Sequence, residues 1–180
     1  MSYDGENNMT DHKMVKYEYG TGRKLLAEKF YNVNPSGSLS AYSSVKYTYS
    51  ENGNLIAKDF YTVGENGKLA LDNSTKYTYD DDGKVSSRGY YEYNADGNAY
   101  YAEIYVYVGG IHAYTRYEGY AYNGRGHIVL EKYTFEDTSG TVTESGQTVY
   151  EYNDMGNLIK TTFRKYDADG KLIEEKTDNF

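Results

Sequence analysis

The chain has 180 residues, a formal net charge of −8 and no cysteine. These exclude disulfides, zinc–thiolate sites and thiol catalysis, and they disfavour nucleic acid as a partner, since Lys and Arg are scattered rather than clustered. Aromatic content is nearly all tyrosine, 25 residues against five phenylalanines and no tryptophan, with 19 glycines beside one proline. A tyrosine ring can be buried while its hydroxyl stays wet, so this bias favours half-exposed sheet over helix and over a thick core. No apolar run approaches the roughly 18 residues of a spanning helix, so membrane insertion is not expected.

Along the chain, residues 1–15 read as a polar N-terminal segment, either a first strand or without regular structure. MSYDGENNMTDHK has no hydrophobic stretch of secretory type. Residues 16–180 read as one repeat domain. KLLAEKFYNVNPSGSLSAYSSVKYTY (24–49) aligns without gaps onto NLIAKDFYTVGENGKLALDNSTKYTY (54–79), thirty positions later. A third copy opens at Lys84, and NLIKTTFRKYDADGKLI (157–173) is the last.

Within each unit an aromatic residue, a small or acidic residue and a glycine recur before a Leu or Val, as in YSENGNL (49–55) and YDADGKL (166–172). The turn glycines are Gly37, Gly53, Gly67, Gly83, Gly97, Gly140, Gly156 and Gly170, joined by Gly22, Gly110 and Gly126. These turns predict an antiparallel β-meander of about twelve strands built from double-hairpin units. In YDADGKL, Asp167 heads the turn and Gly170 takes the left-handed position, where an added Cβ is expected to cost roughly 1–2 kcal/mol. The step from Gly97 to Gly110 is 13 where its neighbours alternate near 14 and 16, so a seam or irregular strand is expected near 98–112.

If Ser50 and Asn54 close their loop, Tyr49 faces Leu55, Tyr47 faces Ala57 and Thr48 faces Ile56. The next turn puts Val63 against Leu69 and Tyr61 against Leu71. Extended along the strands, this register gathers the tyrosines and leucines on one face and leaves the other mostly polar. Such a sheet is expected to curl or spiral, to close into a barrel-like shell, or to cover its apolar face with a partner.

The motif Tyr-x-Tyr-Asp-x-x-Gly-x-Leu, as in KYTYDDDGKV and VYEYNDMGNL, resembles the YD repeat of the bacterial Rhs and teneurin-type families, from about Lys16 to Ile173. The resemblance implies a spiralling antiparallel sheet that in long members forms a shell around a cargo polypeptide. It also implies an extracellular or cell-surface location. YYEYNADGNAYY (90–101) is more loosely similar to the aromatic and glycine hairpins of cell-wall-binding repeats.

Chemistry has little to rest on. EYNADG (92–97) approximates the start of a calcium loop, but no bidentate Glu follows at the needed spacing and the turn accounts for its acids. His12, His112 and His127 are isolated, and no nucleophile elbow is present, so no metal, no cofactor and no catalytic residue is assigned. The anomaly is residues 90–122, which hold 11 of the 25 tyrosines. The register above puts Tyr91, Tyr93, Tyr101, Tyr105 and Tyr107 on the apolar face, and Tyr90 and Tyr100 on the other, so that both faces are aromatic here. Rings with a wet edge suit sugars and peptide anchors, and Tyr90, Tyr100, Tyr114, Tyr117 and Tyr120 are the candidate ligand-binding residues. The expected function is a non-enzymatic module binding a glycan or a protein. The alternative is a shell-type fragment covering a polypeptide cargo. Charges at Lys165, Lys171, Glu174, Glu175 and Lys176 are read as discouraging pairing at the C-terminal edge.

Overall fold

The computed structural model describes residues 2–3, 9–11 and 13–180. His12 and part of the polar N-terminal segment lie outside the described residues. Strands β1 (Ser2–Tyr3) and β2 (Met9–Asp11) pair with each other. The others are β3 (Lys13–Tyr19), β4 (Leu25–Val33), β5 (Leu39–Tyr49), β6 (Leu55–Val63), β7 (Leu69–Tyr79), β8 (Val85–Tyr93) and β9 (Ala99–Val108). They continue as β10 (Ile111–Tyr122), β11 (Ile128–Glu136), β12 (Val142–Tyr152), β13 (Leu158–Asp167) and β14 (Leu172–Asn179). β3 to β14 form one 12-stranded antiparallel meander in sequence order, as the glycine turns predict. β3 and β14 stand at opposite ends of that order and do not pair, so the sheet does not close into a barrel. Two compact units divide the chain, Met1–Lys76 with Ala95–Gly97, and Tyr77–Asn94 with Asn98–Phe180.

The turns follow the chemistry of their residues. Asp167 Oδ1 accepts from the backbone N–H groups of Asp169 and Lys171 at 3.1 and 2.9 Å, and Gly170 N–H donates to the Asp167 carbonyl at 3.0 Å. Gly170 is left-handed at φ 79°, as expected of the residue that completes the turn. Asp137 and Asn153 head their turns in the same way. The irregularity expected at 98–112 is a shorter turn. β9 and β10 are joined by Gly109 and Gly110 alone, both at positive φ, the two-residue hairpin that only glycine-like residues make.

The predicted register holds beside the turns and fails further along, one step beyond the first turn and three beyond the second. Tyr49 faces Leu55, but the next pair is Thr48 with Ala57, so Ile56 is an extra residue and Tyr47 faces Lys58 rather than Ala57. Val63 and Tyr61 face Leu69 and Leu71 as expected, and then Phe60 faces Asn73, with Asp72 as the extra residue. Each bulge exchanges the faces of the strand beyond it. Lys58 therefore joins the Tyr47 face, its Nζ 5.8 Å from the ring centroid. Tyr61 lies on the Lys46 face, with the Lys46 Nζ 5.4 Å from its ring. The separation into one apolar and one polar face is thus replaced by aromatic and basic pairs on both.

Burial agrees. Among the described residues the buried hydrophobic side chains are Ala27 and Val45 in the first unit and Ala102 in the second. The other buried side chains are small and polar, and Ser74, fully enclosed, donates to Asp59 Oδ1 at 2.6 Å. Small residues lie at strand centres, so stabilisation rests on cross-strand pairs more than on a core.

Candidate functional site

In the second unit, alternation along β10 places Tyr114, Arg116, Glu118 and Tyr120 on one side. Register extends this face across β11, where Phe135 faces Arg116, Tyr133 faces Glu118 and Glu131 faces Tyr120. On β12, Glu144 faces Phe135, Gly146 faces Tyr133 and Thr148 faces Glu131. Gly146 has no side chain, and the Tyr133 ring lies over it. A Cβ built there would stand 2.5 Å from the ring.

Tyr133 and Phe135 meet edge to face at 5.3 Å, and Phe135 meets Tyr114 likewise at 5.4 Å. The Arg116 guanidinium lies over both rings of β11, at 5.7 and 5.6 Å from their centroids, with Nε 2.7 Å from a Glu118 oxygen. Tyr120 also donates to Glu118, Tyr133 donates to Glu144 at 3.0 Å and Tyr150 to Glu131 at 2.7 Å. Lys165 pairs with Glu144 at 2.6 Å. Its hydrogen bond, with a smaller contribution from Tyr133, holds the Glu144 carboxyl below its ordinary value. Partial burial, then the bond to a carboxylate, pushes the phenols of Tyr133 and Tyr150 up to about 12, and the same causes raise Tyr120. At neutral pH these phenols are donors, and Glu144 is a charged acceptor.

Two shallow hollows open on this face. One, of about 280 Å³, is lined by Ala113, Tyr114, Phe135, Asp137, Thr143 and Glu144. The other, of about 130 Å³, lies among Arg116, Glu118, Tyr120, Glu131 and Tyr133. A third hollow, of about 360 Å³, sits at the turns after β10 and β12. There His127 stacks on Tyr152 at 4.8 Å, Arg125 donates to the Asp154 carbonyl at 2.7 Å, and His127 Nδ1 is enclosed without a hydrogen-bond partner.

The predicted binding tyrosines do not form one patch. Tyr114 and Tyr120 lie on the Arg116 face. Tyr117, paired with Glu103 and Thr134, lies on the opposite face and hydrogen-bonds Glu136, which after partial burial lifts its phenol to about 12. Tyr90 also faces Glu103 and so shares the Tyr117 face, while Tyr100 donates to Glu92 across its hairpin. The expected grouping of Tyr91 with Tyr101 and Tyr105 is reversed. The bulge beside Tyr93 places Tyr91 against Ala102, and it is Tyr90 that shares a face with Tyr101 and Tyr105. Both faces are aromatic here, as expected. Sequence reasoning missed Arg116, Tyr133, Phe135 and Glu144. A lone Arg inside YTRYEGY was the available signal.

No family model and no curated protein matches the chain. Among solved structures it is similar to a DUF3836 family protein from Parabacteroides distasonis, at 19% identity and TM-score 0.39 over 49% of this chain and 81% of that one. It is also similar to a DUF3836 family protein from Bacteroides vulgatus, at 16% identity and TM-score 0.39 over 48% of this chain and 87% of that one. A protein of unknown function from Bacteroides fragilis aligns at 15% identity and TM-score 0.36 over 98% of this chain and 96% of that one.

Proposed function

We propose that the protein is a non-enzymatic carbohydrate-binding module whose ligand lies on the face carrying Tyr114, Arg116, Tyr133 and Phe135. The observation that carries this reading is the hollow of about 280 Å³, which joins the Tyr114–Phe135 ring pair to a rim of Asp137, Thr143 and Glu144. Ring faces suit the C–H faces of a sugar, and carboxylates and a hydroxyl suit its hydroxyl groups. The hollow is open and lies just under the roughly 300–1,000 Å³ of enclosed small-molecule pockets, which favours an extended ligand resting on the sheet. The charge of −8 favours neutral or amino sugars over acidic ones. The extracellular or cell-surface location implied by the YD-repeat resemblance belongs to the same proposal.

The test is titration calorimetry against neutral, amino and acidic oligosaccharides, with Tyr114→Ala as the control. Tyr114 is 37% exposed, so its removal spares the fold. Binding to neutral or amino sugars that falls at least tenfold in Tyr114→Ala supports the reading. No binding across the panel, or binding indifferent to Tyr114, sinks it.

A second reading, a cover for a polypeptide, is favoured by the exposed Val15, Leu26, Leu39, Val63 and Leu69 of the first unit. It requires strong binding of a hydrophobic dye by the isolated chain, and a chain that ignores the dye removes it.

A further inference from the structure

Among the described residues the sheet has two open edges, the outer sides of β3 and β14, and both strands are exposed along nearly their whole length. An open edge is a template for another strand. A device repeated inside the sheet indicates which one. The tyrosine ending a strand reaches across the preceding strand and donates to the carbonyl of that strand's first residue. Tyr49 donates to Leu25 at 3.0 Å, Tyr122 to Ala99 at 2.6 Å and Tyr152 to Ile128 at 2.9 Å. Each acceptor follows a turn and faces, beside a bulge, the last tyrosine of the strand before it: Tyr19 for Leu25, Tyr93 for Ala99 and Tyr122 for Ile128.

Tyr19 holds the donor's position at the end of β3, but among the described residues no strand lies on its outer side. It is 61% exposed, and its hydroxyl makes no such bond among the described residues. Leu172 holds the acceptor's position at the start of β14, facing Tyr166 beside a bulge, with no strand on its outer side. One end of the sheet thus carries a spare donor and the other a spare acceptor.

We propose that the outer edge of β3 pairs antiparallel with the outer edge of β14 of a second copy of this chain, continuing the meander from one molecule to the next. The internal precedent sets the register. Ala27, two residues after the acceptor Leu25, faces Lys46, three before the donor Tyr49. Transposed, Glu174 of the second copy faces Lys16. Opposite charges directly across a strand pair are favourable, and Glu174 already faces Lys165 within its own molecule. A slip of two residues, which preserves the faces, would set Lys16 against Lys176 or Leu172, and a slip of one exchanges the faces. The charges on β14 then select a partner as well as deter unrelated strands. The contact is heterologous, so each molecule uses both edges.

The experiment is light scattering after size exclusion on the full chain across a concentration series, for wild type, Lys16→Glu, Glu174→Lys and the double variant. Both positions are exposed, and circular dichroism verifies that each variant folds. Wild-type mass is expected to rise with concentration. Each single variant should raise the dissociation constant about tenfold, and the double variant should recover it. A wild type that stays monomeric throughout overturns the proposal. So does association that both single variants leave unchanged.

Discussion

The ring of Tyr133 occupies the space that a side chain at Gly146, directly opposite on β12, would fill, because a Cβ there would stand 2.5 Å from the ring. Gly146→Ala must displace the ring from the Arg116 guanidinium and from Glu144. The expected loss is about 1–3 kcal/mol, the range for overpacking a well-fitted site. Gly119→Ala is the control, since nothing lies within 4 Å of its Cβ position. Urea unfolding of the two variants side by side checks this, and equal stabilities would show that the ring moves aside freely.

Tyr152→Phe removes the hydroxyl that Ile128 accepts at 2.9 Å and should cost about 1 kcal/mol, the net worth of one hydrogen bond. Tyr19→Phe, with no such bond among the described residues, should leave unfolding of the dilute chain unchanged. If both substitutions cost the same, the latch contributes nothing and only ring polarity is being measured.

The phenols of Tyr117, Tyr133 and Tyr150 lie at about 12 against an ordinary 10.0. A raised folded value stabilises fully below pH 10 and loses that contribution as pH rises through about 12. Glu144 is shifted down from 4.5, so its contribution is present above 4.5 and lost as pH falls through its folded value. Stability should therefore hold level between these limits and fall on both sides. Phenolate absorbance in the native protein should show a late-titrating group of tyrosines that denaturant removes, and Glu144→Gln should return Tyr133 toward 10.0. One uniform native titration near 10 would refute the carboxylate pairing.

The turns were legible because glycine is the residue that takes positive φ without strain, and because Asp167 and its equivalents announce the head of each turn. The bulges were not. Ile56 and Asp72, the extra residues, are ordinary strand residues, and nothing in their chemistry marks where pairing skips a position. Because each skip exchanges faces, the tyrosine cluster could be found in the sequence while its division between faces could not. Arg116 was missed for the same reason. Its partners Tyr133 and Phe135 are brought to it by a register that depends on the bulge at Tyr122. At the seam, VGGI spells a two-residue hairpin, which the spacing of single turn glycines does not distinguish from the longer turns.

Strict sequence order in the meander has a consequence for growth and folding. Every strand of the sheet bonds only to its neighbours along the chain, so no pairing waits on the closure of a distant loop, and assembly can start at any hairpin and zip outward. Copying one thirty-residue unit would add two strands in phase and ask nothing new of the rest. Length in such a protein is an adjustable quantity, set by the number of hairpins in the chain.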